Sequence, residues 1–163
     1  MTAGGNVLRA YLVVMDETEE AAAALRYASL RAAATGCAVR ILALVPRQDF
    51  TAFGGVQATI EQEARERAEV MANNAAGSLL DEGGRMPKIA VRTGDPTTAI
   101  KTYLAENANI AALVLAAAGE GAPGPLVSHF ASVAGSLPCP LTIIPPLTAE
   151  QLEQLSGSAR EPG

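Results

Sequence analysis

Five short runs rich in apolar residues, separated by segments of helical periodicity, constrain this 163-residue chain more than any other feature. They lie at residues 8–15 (LRAYLVVM), 39–45 (VRILALV), 88–93 (KIAVRT), 110–116 (IAALVLA) and 139–144 (CPLTII). The first and fourth are almost continuously apolar, the pattern of strands buried on both faces. The third alternates polar and apolar residues, as a half-exposed strand does. The fifth is short and bounded by prolines, which cannot donate to an inner ladder.

Between these runs the sequence reads as helix. Residues 19–35 carry an apolar stripe of Ala21, Ala24, Leu25, Ala28 and Ala32, with Thr18 as cap, Glu19 and Glu20 in the first turn and Gly36 as the stop. Residues 57–82 form a longer helix with Val56, Ile60, Ala64, Met71, Ala75 and Leu79 on one face. On its wet side Glu61 with Arg65, and Glu63 with Arg67, stand four residues apart. Asp95-Pro96 supplies a cap and a first-turn proline for a short helix through Ile100 and Leu104. Another helix spans about residues 126–136, with Leu126, Phe130, Val133 and Leu137 inward.

Strand–helix alternation of this kind implies right-handed crossovers and a parallel sheet covered by helices on both faces. Placing the most apolar strands centrally and the third and fifth at the edges gives the order 3-2-1-4-5. The expected fold is therefore a doubly wound five-stranded α/β domain over residues 8–146. Residues 1–7 read as a flexible lead, and 147–163 as a C-terminal tail with a helical turn near residues 149–155.

Composition removes several functions. The formal net charge is −5, without the basic face that nucleic-acid binding needs. No window is long and apolar enough for a membrane span, and the opening residues lack the pattern of a signal peptide. Two cysteines, Cys37 and Cys139, with one histidine, His129, do not make a zinc site. Reduced, buried, structural cysteines and a cytoplasmic location are expected. No G-x-S-x-G, G-x-x-x-x-G-K-[ST] or C-x-x-C occurs, so the chain is expected to be non-enzymatic.

In an open α/β sheet, ligands bind beyond the carboxyl ends of the strands where the order reverses, here between strands one and four. The walls would be Val14, Met15 and Asp16 on one side and residues 115–124 on the other, with Val45 and residues 50–56 as a roof. Asp16, at the end of a central strand, has two readings: it accepts from a ligand hydroxyl or amine, or it caps the following helix. Gly119, Gly121 and Gly124 match G-x-G-x-x-G literally. The dinucleotide reading needs an acidic residue about twenty positions on, and none is there. A plain turn and a backbone nest remain, although Pro123 and Pro125 each remove a donor. No Lys or Arg occurs from residue 102 to 158, so a phosphate would rely on backbone N–H groups, the helix start, Ser128, a metal ion or a distant cation such as Arg47. His129 has no sequence partner for acid–base work and reads as a surface or packing residue.

The run Tyr11 to Glu20, followed by Ala24-Leu25-Arg26-Tyr27-Ala28, resembles the opening of the universal stress protein family. Val91-Arg92-Thr93-Gly94-Asp95-Pro96 with Ile100 resembles its third strand and turn, and the fourth and fifth runs resemble its last strands. The resemblance covers about residues 8–146. It implies the same five-stranded fold and a homodimer paired through the apolar edge strand Leu141–Ile144. One branch of that family binds ATP through G-x2-G-x9-G-[ST]. On this chain Ala116 occupies the first glycine position, Gly119 the second, Val127 the third and Ser128 the final hydroxyl, in a loop about two residues shorter. Asp16, Val45 and Leu115 match positions around the adenosine. With two of three glycines replaced, the resemblance implies a dimeric stress-response protein acting through protein contacts or small-ligand sensing, with ATP binding weak or absent. The alternative is an ATP- or AMP-binding member that uses the variant Gly119–Gly124 loop.

Overall fold

The computed structural model describes residues 8–16, 20–45, 54–81 and 85–157. Strand β1 (Ala10–Met15) leads to helix α1 (Glu20–Thr35), then β2 (Ala38–Val45), α2 (Gly54–Asp81), β3 (Lys88–Thr93) and α3 (Pro96–Glu106). β4 (Ile110–Ala116), α4 (Pro125–Ser132), a 3-10 turn (Ala134–Ser136), β5 (Leu141–Ile144) and α5 (Ala149–Gly157) complete the order. The sheet has five strands in the order β3-β2-β1-β4-β5, and every neighbouring pair is parallel. This is the doubly wound α/β arrangement expected from the alternation, with the alternating and proline-bounded strands at the edges.

Pleating sends alternate residues of each strand to opposite faces, so the sheet separates two cores. One holds Val13, Ile41 and Ala43 against α1, α2 and Leu152 of α5. The other holds Leu12, Leu42, Leu113 and Leu115 against Ile100, Tyr103 and Leu104 of α3 and Val127 and Phe130 of α4. Among the described residues no polar or charged residue is buried. The expected stripe of α1, Ala21, Ala24, Leu25, Ala28 and Ala32, is the buried one. Gly36 ends that helix at φ +73, the left-handed region glycine favours, and Cys37 N–H donates to the Ala32 carbonyl at 3.0 Å.

Several local expectations need correction. The buried face of α2 is Ala64, Ala68, Ala72, Ala76 and Leu79, while Ile60, Met71 and Ala75 are only half-buried. Small side chains let this helix lie close to β2 and β3, and the larger Met71 sits at the margin. Val56 lies among the residues whose side chains are not described. A pair that the sequence reading did not name joins Arg65 to Glu69 at 3.5 Å. The helix expected over residues 126–136 stops at Ser132, whose hydroxyl donates to the His129 carbonyl at 2.6 Å, and the chain tightens into the 3-10 turn. Both cysteines are free thiols and half-buried rather than buried, and partial burial pushes the Cys139 thiol up. Within the segment read as a tail, α5 packs its Leu152 into the α1 and α2 core. Residues 1–7, Thr18, Glu19, Arg47 and the 50–53 part of the proposed roof lie outside the described residues.

Asp95 caps α3 as its sequence pattern requires. Its carboxylate accepts from Thr98 N–H at 2.9 Å, the Thr97 hydroxyl at 2.7 Å and the Thr98 hydroxyl at 2.9 Å. These donors, the Thr97 hydroxyl foremost, hold its carboxyl down at about 2, from an ordinary 3.8. Because the folded value is depressed, the contribution is fully present above 3.8 and is lost as pH falls through about 2. Acid titration followed by circular dichroism is expected to show a steeper stability loss across that window for the wild type than for Asp95→Asn. Parallel curves would refute this role.

Candidate ligand crevice

A half-open cavity of about 320 Å³ lies at the carboxyl ends of β1 and β4, where the strand order reverses. Val14 and Leu115, each one residue beyond the Val13–Val114 pair of the β1–β4 ladder, form its apolar floor, and Asp16 and Ala116 continue from the two strand ends. Glu20 and Ala21 enter from the first turn of α1. Ala118, Pro123 and Gly124 come from the β4–α4 loop, and Pro125, Leu126 and Val127 from the first turn of α4.

The loop is shaped by its own backbone. Ala118 N–H donates to the Pro123 carbonyl at 3.1 Å, which closes the Gly/Pro segment on itself. Ala117 N–H donates to the Ile144 carbonyl at 2.8 Å and ties the loop's beginning to β5. Gly124, just before α4, has φ +103 and ψ 156, a conformation essentially restricted to glycine. It has no side chain to cap the helix, so α4 begins with no side-chain cap hydrogen bond. Pro125 at the first helical position has no N–H, which leaves the amides of Leu126 and Val127 as the first-turn donors on the crevice wall.

Of the eight residues singled out from sequence, the cavity brings together Asp16, Leu115, Ala116 and Gly124. The other four do not line it. Val45 is buried at the end of β2 in the opposite core, and its carbonyl accepts from Gly94 N–H at 3.3 Å. A β-carbon at Gly119 would stand 3.4 Å from Pro146 Cγ, so this glycine permits close packing of the loop against the chain after β5. Gly121 turns the exposed loop tip at φ +72. Ser128 is exposed, and its N–H donates to the Gly124 carbonyl at 3.0 Å. Met15, expected on the wall, faces the α1 and α2 core because the pleat turns it away from Val14. His129 stacks edge-on against Phe130 with centroids 5.2 Å apart, and its Nε2 is buried without a hydrogen-bond partner among the described residues.

Sequence reading missed Glu20, Ala21, Pro125 and Leu126 as crevice residues, and Val127 entered only as the third position of the family signature. The available signal was their position in the first turns of the helices that follow strands one and four, since doubly wound topology points both turns at the switch point. Among the described residues no group of three His, Cys, Asp or Glu side chains is placed to hold a metal ion. Nor is any helix among them long and apolar enough to cross a membrane.

Comparison with solved structures gives the same fold. UspA from Lactobacillus plantarum superposes with a TM-score of 0.68 at 20% identity, covering 84% of this chain and 97% of that one. A universal stress protein family member from Burkholderia pseudomallei gives 0.65 at 17% identity, covering 87% and 99%. A universal stress protein solved in complex with cAMP gives 0.55 at 16% identity, covering 84% and 97%. No curated protein matches the chain. The family model described as "Universal stress protein family" matches residues 9–145, nearly the whole described sheet and its helices. This chain belongs to the universal stress protein family.

Proposed function

We propose that this protein works without catalysis, as a cytoplasmic homodimer that senses a small ligand in the β1–β4 crevice, with ATP binding weak or absent. The observation that carries this reading is the crevice itself, an apolar slot at the topological switch point with carboxylates and two helix starts on its rim. Its loop supports weak ATP binding. Ala116 and Val127 stand where the family's ATP-binding signature has glycine, and glycine there would let backbone approach phosphate closely. A universal stress protein of the same fold, solved in complex with cAMP, supports a small-ligand reading for this chain. The uncapped amides of α4 favour the second reading, a phosphate-binding member using the Gly119–Gly124 loop. Free thiols at both cysteines fit a reducing compartment.

The dimer reading rests on β5. Pairing on one side only, it leaves an edge with Ile143 39% exposed, and an uncovered apolar edge invites another strand. Light scattering is expected to give twice the chain mass for the wild type and a monomer for Ile143→Lys; a monomeric wild type refutes the dimer. Thermal unfolding with millimolar Mg-ATP tests the loop. Ligand at a hundred times its dissociation constant stabilises by about 2.7 kcal/mol, several degrees at about 2–4 °C per kcal/mol. No such rise is expected, and a clear one would favour the phosphate-binding reading.

A further inference from the structure

Although the chain carries a net charge of −5, cations gather where β2, β3 and α3 meet. Arg40 and Lys88 stand side by side in the β2–β3 register, and Arg92 follows four residues on along β3. Alternation puts all three on the face that α3 covers. Arg40 Nη1 donates to Asn107 Oδ1 at 2.7 Å and to the Tyr103 hydroxyl at 3.4 Å. Asn107 is itself fixed, its Nδ2 donating to the Tyr103 carbonyl at 2.8 Å. The Arg92 guanidinium lies 5.7 Å from the Tyr103 ring centroid and 3.5 Å from Glu106, so two guanidiniums converge on one tyrosine. The charged side chains of β2, β3 and α3 are Arg40, Lys88, Arg92, Lys101 and Glu106, with cations in the majority. Asp95, at the opposite end of α3, is taken up by Thr97 and Thr98.

Arg40 separates this patch from ordinary surface charge. It is half-buried, and both groups that hold it are neutral. Its Nε and Nη2 have no hydrogen-bond partner among the described residues and remain open to solvent. A guanidinium fixed by neutral acceptors keeps its full charge and offers a free edge, the arrangement that takes an oxyanion bidentately. Because β3 pairs with β2 alone among the described strands, the patch is reachable from the sheet edge. From this we infer that Arg40, Lys88 and Arg92 form a second binding site, for a phosphate dianion, free or as a monoester. This goes beyond the crevice reading, since none of the three lines that cavity. Three cations against the Glu106 carboxylate leave a surplus that phosphate, at about −1.5 to −2 near pH 7, matches and a single carboxylate does not.

Heteronuclear NMR of the full chain, titrated with inorganic phosphate, phenyl phosphate and acetate at constant ionic strength, tests the site. Phosphate is expected to shift the Arg40 and Arg92 Nε–H resonances saturably, and acetate to do so far more weakly. Arg40→Gln should weaken phosphate binding by at least about tenfold, the loss of a hydrogen bond to a charged group. Arg40→Lys, which keeps the charge without the fork, should fall between wild type and Arg40→Gln. Lys88→Gln, at an exposed position where folding is not at risk, should weaken binding by about two- to fivefold. Phenyl phosphate binding more tightly than inorganic phosphate identifies monoesters as the ligand, and the reverse order the free ion; both support the site. Equal affinity for acetate overturns the match to a dianion. Phosphate binding that Arg40→Gln and Lys88→Gln leave intact, with shifts confined to the Gly124 and Leu126 amides, places the anion in the crevice and overturns this site. No saturable shift with either phosphate overturns it outright.

Discussion

Truncating Phe130 to alanine is expected to destabilise the protein by about 3–5 kcal/mol, the range for removing a buried aromatic ring. The ring is fully buried and is the largest wholly enclosed side chain among the described residues. It anchors α4 in the core formed with Leu12, Leu113 and α3, and α4 is only eight residues long. A helix that short has little stability of its own, so its position depends on what it buries. The midpoint of thermal unfolding should fall by roughly 6–20 °C, at about 2–4 °C per kcal/mol. Because Leu126 and Val127 reach the crevice from the first turn of the same helix, ligand affinity should drop in the variant even below its transition. A midpoint shift under about 2 °C would mean that the cavity collapses around the loss and that α4 does not depend on its anchor.

Enlarging Ala72 to leucine tests the opposite face. Ala72 and Ala76 are wholly inaccessible, and with Ala64 and Ala68 they form a stripe repeating every fourth residue along α2. Alanine there permits a close approach of the helix to the sheet. Extra methylenes must force α2 away from the sheet or push side chains off their rotamers, at a cost of about 1–3 kcal/mol. The unfolding midpoint should fall by about 2–12 °C. Val70→Leu, at an exposed position on the outer side of the helix, should change stability by no more than about 0.5 kcal/mol. Equal effects at the two positions would show that the alanine stripe is not a packing contact.

The α2 result also marks where sequence reading reached its limit. For α1 the stripe of Ala21, Ala24, Leu25, Ala28 and Ala32 holds helical spacing along the whole element, and that spacing alone identified the buried face. Along α2 the buried positions are mostly alanine, and larger residues such as Ile60 and Met71 drew the expected stripe toward themselves. Close packing against β2 and β3 selected the alanines instead, because only they fit under the helix. At α4, apolar spacing through Val133 and Leu137 suggested one continuous helix. The Ser132 hydroxyl competes for a backbone carbonyl there, and the last turn closes as 3-10.

The crevice divides the same way. Asp16, Leu115 and Ala116 were legible because they stand at or just past the ends of the two strands that flank the reversal, and Gly124 because it closes the glycine motif before α4. Glu20 was visible only as a charge favouring its helix start. Its place on the ligand wall depends on how α1 leaves β1, which no spacing rule states. Gly119 drew notice as part of a glycine motif, yet its local reason is the proline at 146 beside it, 27 positions away in sequence.

Alternating apolar runs and helical segments by themselves determined the parallel sheet, its strand order and the location of the crevice. These follow from pattern period, burial on one or both faces, and the fixed handedness of crossovers, all of which are local or general. Which alanines lie beneath α2, which loop glycines pack rather than bind, and which carboxylates share the cavity were decided only by the tertiary structure. Each depends on a close approach between segments distant in the chain, and a distance of that kind has no period in the sequence.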